Sequence, residues 1–147
     1  MAQTQLNTSP VFIGSIVKSV VHLTNETSKP NPGSDNTPLL FEAGQQGSQL
    51  EAIRIHYLNW NATEPNNSLF LYTLIPNYPD RYCIGQIDIP NNPNTNQLLP
   101  PILVPLPPIL YGENKTALRL VAMEKLWVAL ATASTAGFNI EAIGGDF

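Results

Sequence analysis

The sequence of 147 residues predicts an all-β domain, built as a sandwich or barrel, and three observations support this. Short segments alternate apolar and polar residues with a period of two, and their apolar positions are rich in β-branched residues. Turn-forming residues separate these segments at intervals typical of all-β folds. The length suits one domain with a single hydrophobic core, which we expect over residues 15–147.

The clearest alternating segment covers residues 51–59. Ile53, Ile55 and Tyr57 fall on one face of this segment. Arg54 and His56 fall on the opposite face. This pattern predicts a strand that is buried on one side and open to water on the other.

Seven other segments predict strands on similar grounds. Residues 15–24 place Val17 and Val21 on one face and Lys18 and His22 on the other. Residues 68–75 are apolar on both faces, which predicts a strand covered on both sides. The remaining predicted strands are residues 38–43, 83–89, 117–122, 126–133 and 138–143.

Residues 116–133 also contain good helix formers, so a helix is the alternative there. Leu118 and Leu120 alternate with Arg119, however, and Glu124 and Lys125 can form the tip of a hairpin. We therefore predict two strands joined as a hairpin.

Five prolines between residues 100 and 108 interrupt a run of apolar side chains. Because proline lacks the N–H that a sheet requires, this segment cannot be a central strand. We predict an extended ribbon on the surface or at a sheet edge. Leu103 and Leu106, which lie between the prolines, are candidates for contact with a partner.

Residues 1–14 begin polar and then present Val11, Phe12 and Ile13 after Pro10. Such a segment cannot fold alone, but its apolar triplet is a suitable anchor. We predict an extended N-terminal arm over residues 1–14 that docks on a neighbouring molecule. The alternative is an anchor that packs on its own domain.

The charged fraction of 12% is about half of the usual ~25%. Since the centres of protein interfaces are depleted of charge, this predicts an oligomer or a subunit docked on a larger surface. The alternative is a surface solvated by Asn, Gln, Ser and Thr. A net charge of -4 with scattered Lys and Arg argues against direct nucleic-acid binding. The sequence also lacks a membrane-spanning apolar run and a signal-peptide pattern, so we expect neither membrane insertion nor classical secretion.

Motifs for catalysis or metal binding do not emerge from the sequence. His22 and His56 are the only histidines, and no Gly-x-Ser-x-Gly motif accompanies them. Cys83 is the only cysteine, which excludes an intrachain disulfide, and we interpret it as a small buried hydrophobic residue. The acidic residues form neither a carboxylate pair nor a calcium loop. We predict a non-enzymatic protein without metal or cofactor.

Trp60 lies between Asn59 and Asn61 at the end of a predicted strand. An aromatic side chain in such a position is a candidate for contact with a sugar or a protein partner. Trp60 therefore supports an alternative function, a carbohydrate-binding or receptor-binding module of the same sandwich class.

The C-terminal residues 131–147 read ATASTAGFNIEAIGGDF. They combine an Ala/Thr-rich segment, a Gly-aromatic turn at Gly137-Phe138 and a last strand that closes on Gly-Gly-Asp-aromatic. This segment, under a fifth of the chain, resembles the ending of small virion proteins of tailed bacteriophages.

The resemblance implies a jelly-roll-like antiparallel β-sandwich that decorates phage heads or builds necks and tails. A capsid decoration protein, also called a cement protein, agrees best with the low charge and the apolar arm. Such a protein would be a homotrimer in the virion that contacts the major capsid protein or another virion protein, with Val11, Phe12 and Ile13 as anchors. A neck or tail subunit is the alternative within this class.

Overall fold

The computed structural model describes residues 15–23, 38–58, 66–91, 99–107, 116–134 and 136–147. Within these ranges the chain forms nine strands and no helix. The strands are β1 (Ser15–Leu23), β2 (Leu39–Glu42), β3 (Ser48–Tyr57), β4 (Asn67–Leu74), β5 (Tyr82–Ile89), β6 (Ile102–Leu103), β7 (Leu118–Leu120), β8 (Lys125–Leu130) and β9 (Phe138–Asp146). The predicted arm, residues 1–14, lies outside the described residues.

The strands build two antiparallel sheets that pack against each other, which confirms the predicted all-β sandwich. The five-stranded sheet has the order β1-β9-β3-β6, and β7 pairs with β3 beside β6. The four-stranded sheet has the order β2-β8-β4-β5. The long β3 thus pairs with β9 along one edge, while β7 and β6 share its other edge.

The core lies between the two sheets and follows from the alternation of side chains along each strand. The five-stranded sheet contributes Ile53 and Ile55 from β3 and Phe138 and Ile140 from β9, all fully buried. The four-stranded sheet contributes a matching set, which includes Leu69, Leu126, Val128 and Leu130. Each such side chain stabilises the fold by about 1.5–3 kcal/mol relative to an exposed position.

All eight predicted strand segments contain a strand, with ends that differ by a few residues. The ninth strand, β6, lies in the proline-rich segment and pairs with β3 at the sheet edge. This agrees with the predicted edge position of the proline ribbon, since Pro101 and Pro105 leave only a short stretch between them free to pair.

The segment around residues 116–133 forms strands, as predicted, but the predicted hairpin is wrong. β7 pairs with β3 in one sheet, whereas β8 pairs with β2 and β4 in the other. The turn between them therefore carries the chain from one sheet to the other. Met123 in this turn has a positive φ of 61°, and the buried Glu124 follows it.

The prediction that Cys83 is buried is also wrong, because the side chain is exposed. If the side chains alternated without interruption from the inward-facing Ile87 towards the start of β5, Cys83 would face the core. A β-bulge lies between these residues, however, since Leu71 pairs with Gly85 while the next residue, Tyr72, pairs with Cys83. The extra residue, Ile84, reverses the phase of the alternation and turns Cys83 outward.

Candidate interaction surface

The side of the five-stranded sheet that is turned away from the core is called the outer face here. One row of side chains crosses four strands of this face in register. The row consists of Val20 on β1, Glu141 on β9, Arg54 on β3 and Leu103 on β6. Neighbouring side chains in such a row lie close enough to contact one another.

Glu141 lies at the centre of a cluster of basic side chains. Its side chain is only 9% exposed, and Lys18 Nζ lies 2.5 Å from its Oε2. Arg54 Nη1 and His56 Nε2 each lie 3.5 Å from its Oε1. The sequence pattern places Glu141 between the inward-facing Ile140 and Ala142, but only the strand order brings it beside its three partners.

The hydrogen bond from Lys18 lowers the pKa of Glu141 below its ordinary value, and His56 and Arg54 act in the same direction. Burial of the carboxylate opposes this shift. The lowered pKa keeps Glu141 ionised at neutral pH, and the basic side chains compensate its charge. A partner could therefore cover this part of the outer face without burying an unpaired charge.

Large apolar side chains surround this charged centre and face the solvent. Ile16 is 86% exposed and Leu103 is 66% exposed, and Val20 is also exposed. Leu103 and Val20 mark the two ends of the row that contains Glu141. Apolar groups around a compensated polar centre are typical of a surface that becomes buried in an assembly.

Both histidines of the chain lie on the outer face, in agreement with the polar strand faces predicted for them. His22 and His56 are each in register with Asn139 of β9. His22 Nδ1 lies at a hydrogen-bond distance of 3.1 Å from Asn139 Oδ1, while His56 contacts Glu141. Their partners are an amide and a paired carboxylate, so the surroundings of both histidines are those of a polar sheet surface.

The residues predicted to bind a partner lie in different parts of the structure. Leu103 lies on the outer face, as described above. Leu106 is half-buried and packs against the core. Val11, Phe12, Ile13 and Trp60 lie outside the described residues.

An apolar groove of about 430 Å³ opens between the two sheets along the edge formed by β5. Leu71, Tyr82, Ile84 and Leu106 line it, and Glu124 lies at its wall. The Glu124 carboxylate accepts hydrogen bonds from the Thr73 hydroxyl and from the Val121 N–H. This acidic group therefore holds the β7–β8 turn in place.

A polar groove of about 520 Å³ lies beside the strand ends where β4 begins and β5 ends. Its lining includes Asn66, Ser68, Asp88 and Thr132. The Ser68 hydroxyl donates a hydrogen bond to Asp88 Oδ1 at 3.3 Å. The groove is open to solvent and presents hydroxyl, amide and carboxylate groups together.

Four other aromatic side chains of the described residues differ in their exposure. Tyr72 is buried, and Trp127 is covered by the Arg81 guanidinium at 3.7 Å from its ring centre. Tyr78 and Tyr82 are exposed. Sequence alone does not separate these cases, because the difference depends on which strand forms the edge of the sheet.

No protein-family model, curated protein or solved structure matches this chain. Within the described residues, His, Cys, Asp and Glu side chains form no group of three or more that could hold a metal ion. The same part of the chain contains no helix that is long and apolar enough to span a membrane.

Proposed function

We propose that this chain is a non-enzymatic structural subunit of a phage virion, of the capsid-decoration type. It binds the outside of the capsid as a homotrimer and stabilises the contacts between capsomers. The outer face is the observation that carries this proposal. Its exposed Ile16 and Leu103 flank a carboxylate whose charge is already compensated, so the face is suited to burial in an assembly.

A subunit of this kind stabilises the shell because its binding buries surface area between neighbouring molecules. Each copy adds contact surface across a seam of the shell, and the many copies together raise the free energy needed to separate the capsomers. Val11, Phe12 and Ile13 are the anchors that we propose for the contact with the capsid. This leaves the folded sandwich free to associate with other copies of itself.

The strand order supports the further proposal that the sandwich is a jelly roll. If β6 and β7 count as one interrupted strand, the sheets β1-β9-β3-β6 and β2-β8-β4-β5 contain eight strands. Jelly rolls consist of eight strands in two packed sheets, and viral capsid proteins are among the proteins that use them. A shared fold supports the proposed class, whereas the binding site depends on the particular side chains of the surface.

Light scattering of the full-length protein, together with sedimentation with capsids that lack it, tests the proposal. We expect a homotrimer that sediments with the capsids, and we expect Phe12→Asp to abolish sedimentation while the trimer persists. Met123→Asp, at an exposed residue of the β7–β8 turn, is the control. A monomer that does not bind capsids would contradict the proposal.

The polar groove supports a second candidate function, a carbohydrate-binding module. Asn66, Ser68 and Asp88 place amide, hydroxyl and carboxylate groups around an open groove, and such groups can pair with sugar hydroxyls. Glycan-array binding that is lost in Asp88→Ala and retained in Glu42→Ala would favour this function. Binding that is lost only in Trp60→Ala would place the sugar at Trp60 instead.

A further inference from the structure

Six of the nine large exposed apolar side chains of the described residues lie on two separate surfaces. Three of them, Ile16, Val20 and Leu103, lie on the outer face. Three others lie along the β4–β5 turn and the β5 strand, namely Tyr78, Tyr82 and Ile84. Together with the exposed acidic residues Asp80 and Asp88, these last three residues are called the β5 surface here.

The two surfaces differ in charge. Lys18, Arg54 and Arg119 lie at strand positions of the outer face, and the carboxylate of Glu141 lies on the same face. Glu51, at the β3 bulge, is also exposed. Arg119 lines the apolar groove as well, so it lies where the outer face approaches the groove along β5.

The β5 surface carries the carboxylates of Asp80 and Asp88. The Arg81 guanidinium beside them is turned onto the Trp127 ring. The outer face is therefore the more basic surface and the β5 surface the more acidic one, and each also offers apolar contacts.

The position of β5 at a sheet edge also favours contact with another chain. β5 is one of the two edge strands in the order β2-β8-β4-β5, and no other strand of the described residues pairs with its outer edge. The first residues of β5, Tyr82-Cys83-Ile84, are uncharged and exposed. Folded proteins usually protect such an edge with charges or cover it with another segment.

We propose that the outer face of one copy binds the β5 surface of the next copy, in a head-to-tail contact that closes into a ring. The inference rests on the proposed function, because it assigns the contact through which the subunit associates with itself. A head-to-tail contact brings the more basic outer face against the more acidic β5 surface, which a dimer of two outer faces does not. A contact between two different surfaces is the kind that generates closed rings such as trimers.

The test uses one full-length variant for each surface. Leu103→Asp places a carboxylate on the outer face beside Arg54, and Ile84→Asp places one on the β5 surface. Tyr78→Asp, in the exposed β4–β5 turn, replaces Ile84→Asp if that variant does not fold. Met123→Asp is the matched control, because Met123 is exposed, belongs to neither surface and has a positive φ that Asp tolerates.

Light scattering coupled to size-exclusion chromatography should show wild type and Met123→Asp as the same oligomer. Leu103→Asp and Ile84→Asp should each be monomeric at the same concentration, with association weakened at least tenfold. An equimolar mixture of these two variants should form a complex of two chains, because one outer face and one β5 surface remain intact between them.

The other possible results separate a failure of the inference from a failure of the proposed function. An oligomeric wild type that both variants leave unchanged would overturn the inference and leave the proposed function standing. The same holds if Ile84→Asp alone still forms the wild-type oligomer, since the outer faces would then pair with each other. A wild type that is monomeric at every concentration would contradict both the inference and the proposed function.

Discussion

Arg54 and Glu141 are direct partners in the register of β3 and β9, and the Arg54 guanidinium lies 3.5 Å from the Glu141 carboxylate. Lys18 and His56 complete the surroundings of this carboxylate. Glu141→Gln should lower the free energy of unfolding by about 1–2 kcal/mol, because it removes the charge that compensates these bases. Urea denaturation measures this loss. Glu42→Gln is the control, since the exposed Glu42–Lys125 pair should contribute less than about 0.5 kcal/mol.

The pH dependence of stability follows from the lowered pKa of Glu141, which Lys18 causes in the first place. The unfolded chain binds this proton at a higher pH than the folded chain does. The contribution of Glu141 is therefore complete above its ordinary pKa of 4.5 and is lost as the pH falls through its folded pKa. Thermal unfolding between pH 3 and pH 7 should show a smaller acid loss in Glu141→Gln than in wild type. Equal acid losses in the two proteins would contradict this account.

Gly144 is a contact point between β9 and β3. A Cβ atom at this position would lie 2.1 Å from the Gln49 carbonyl oxygen and 2.7 Å from the Leu50 Cα, both backbone atoms. Gly144→Ala must therefore push the two strands apart, and we expect a loss of at least about 3 kcal/mol or no folding at all. Gly85→Ala is the control, because its Cβ would meet only Leu71 Cδ1 at 3.9 Å. Circular dichroism and urea denaturation distinguish the two variants.

The strands could be predicted from the sequence because alternation is a local property. Ile53 and Ile55 face the core as their period of two predicts. The pairing of strands depends instead on contacts between distant residues, so the β7–β8 connection was predicted as a hairpin although it joins two sheets. Cys83 shows the same limit, because a single bulge reversed its face.

The candidate surface was predictable only in part, for the same reason. The proline pattern pointed to Leu103 at a sheet edge, where it lies. The pairing of Lys18 with Glu141 joins residues far apart in the chain, and nothing local in the sequence indicates it. The mixed charges of the outer face thus become visible only when β1, β9 and β3 are placed side by side.

Asn67 connects the start of β4 to the residues after β8. Its Nδ2 donates to the Thr132 carbonyl at 2.9 Å, and its Oδ1 accepts from the Thr132 N–H at 3.1 Å. Asn67→Asp loses the donor and places a carboxylate against that carbonyl, so stability should fall by about 1–3 kcal/mol. Asn66→Asp is the control, because Asn66 Oδ1 accepts a hydrogen bond from the Asn91 N–H, which a carboxylate can accept equally well. Equal losses of stability in Asn67→Asp and Asn66→Asp would show that the added negative charge, and not the lost donor, destabilises the protein.

Glu124 fixes the turn that passes from one sheet to the other. Its carboxylate accepts hydrogen bonds from the buried Thr73 hydroxyl and from the Val121 N–H. Glu124→Ala leaves both donors without an acceptor and should cost about 2–4 kcal/mol. Glu124→Gln should retain most of the stability, because its Oε1 can accept from Val121 while its amide donates to the Thr73 hydroxyl. In urea denaturation, the stability of Glu124→Gln should therefore be close to that of wild type, and the stability of Glu124→Ala should be well below it. If Glu124→Gln were as unstable as Glu124→Ala, the negative charge itself would be required.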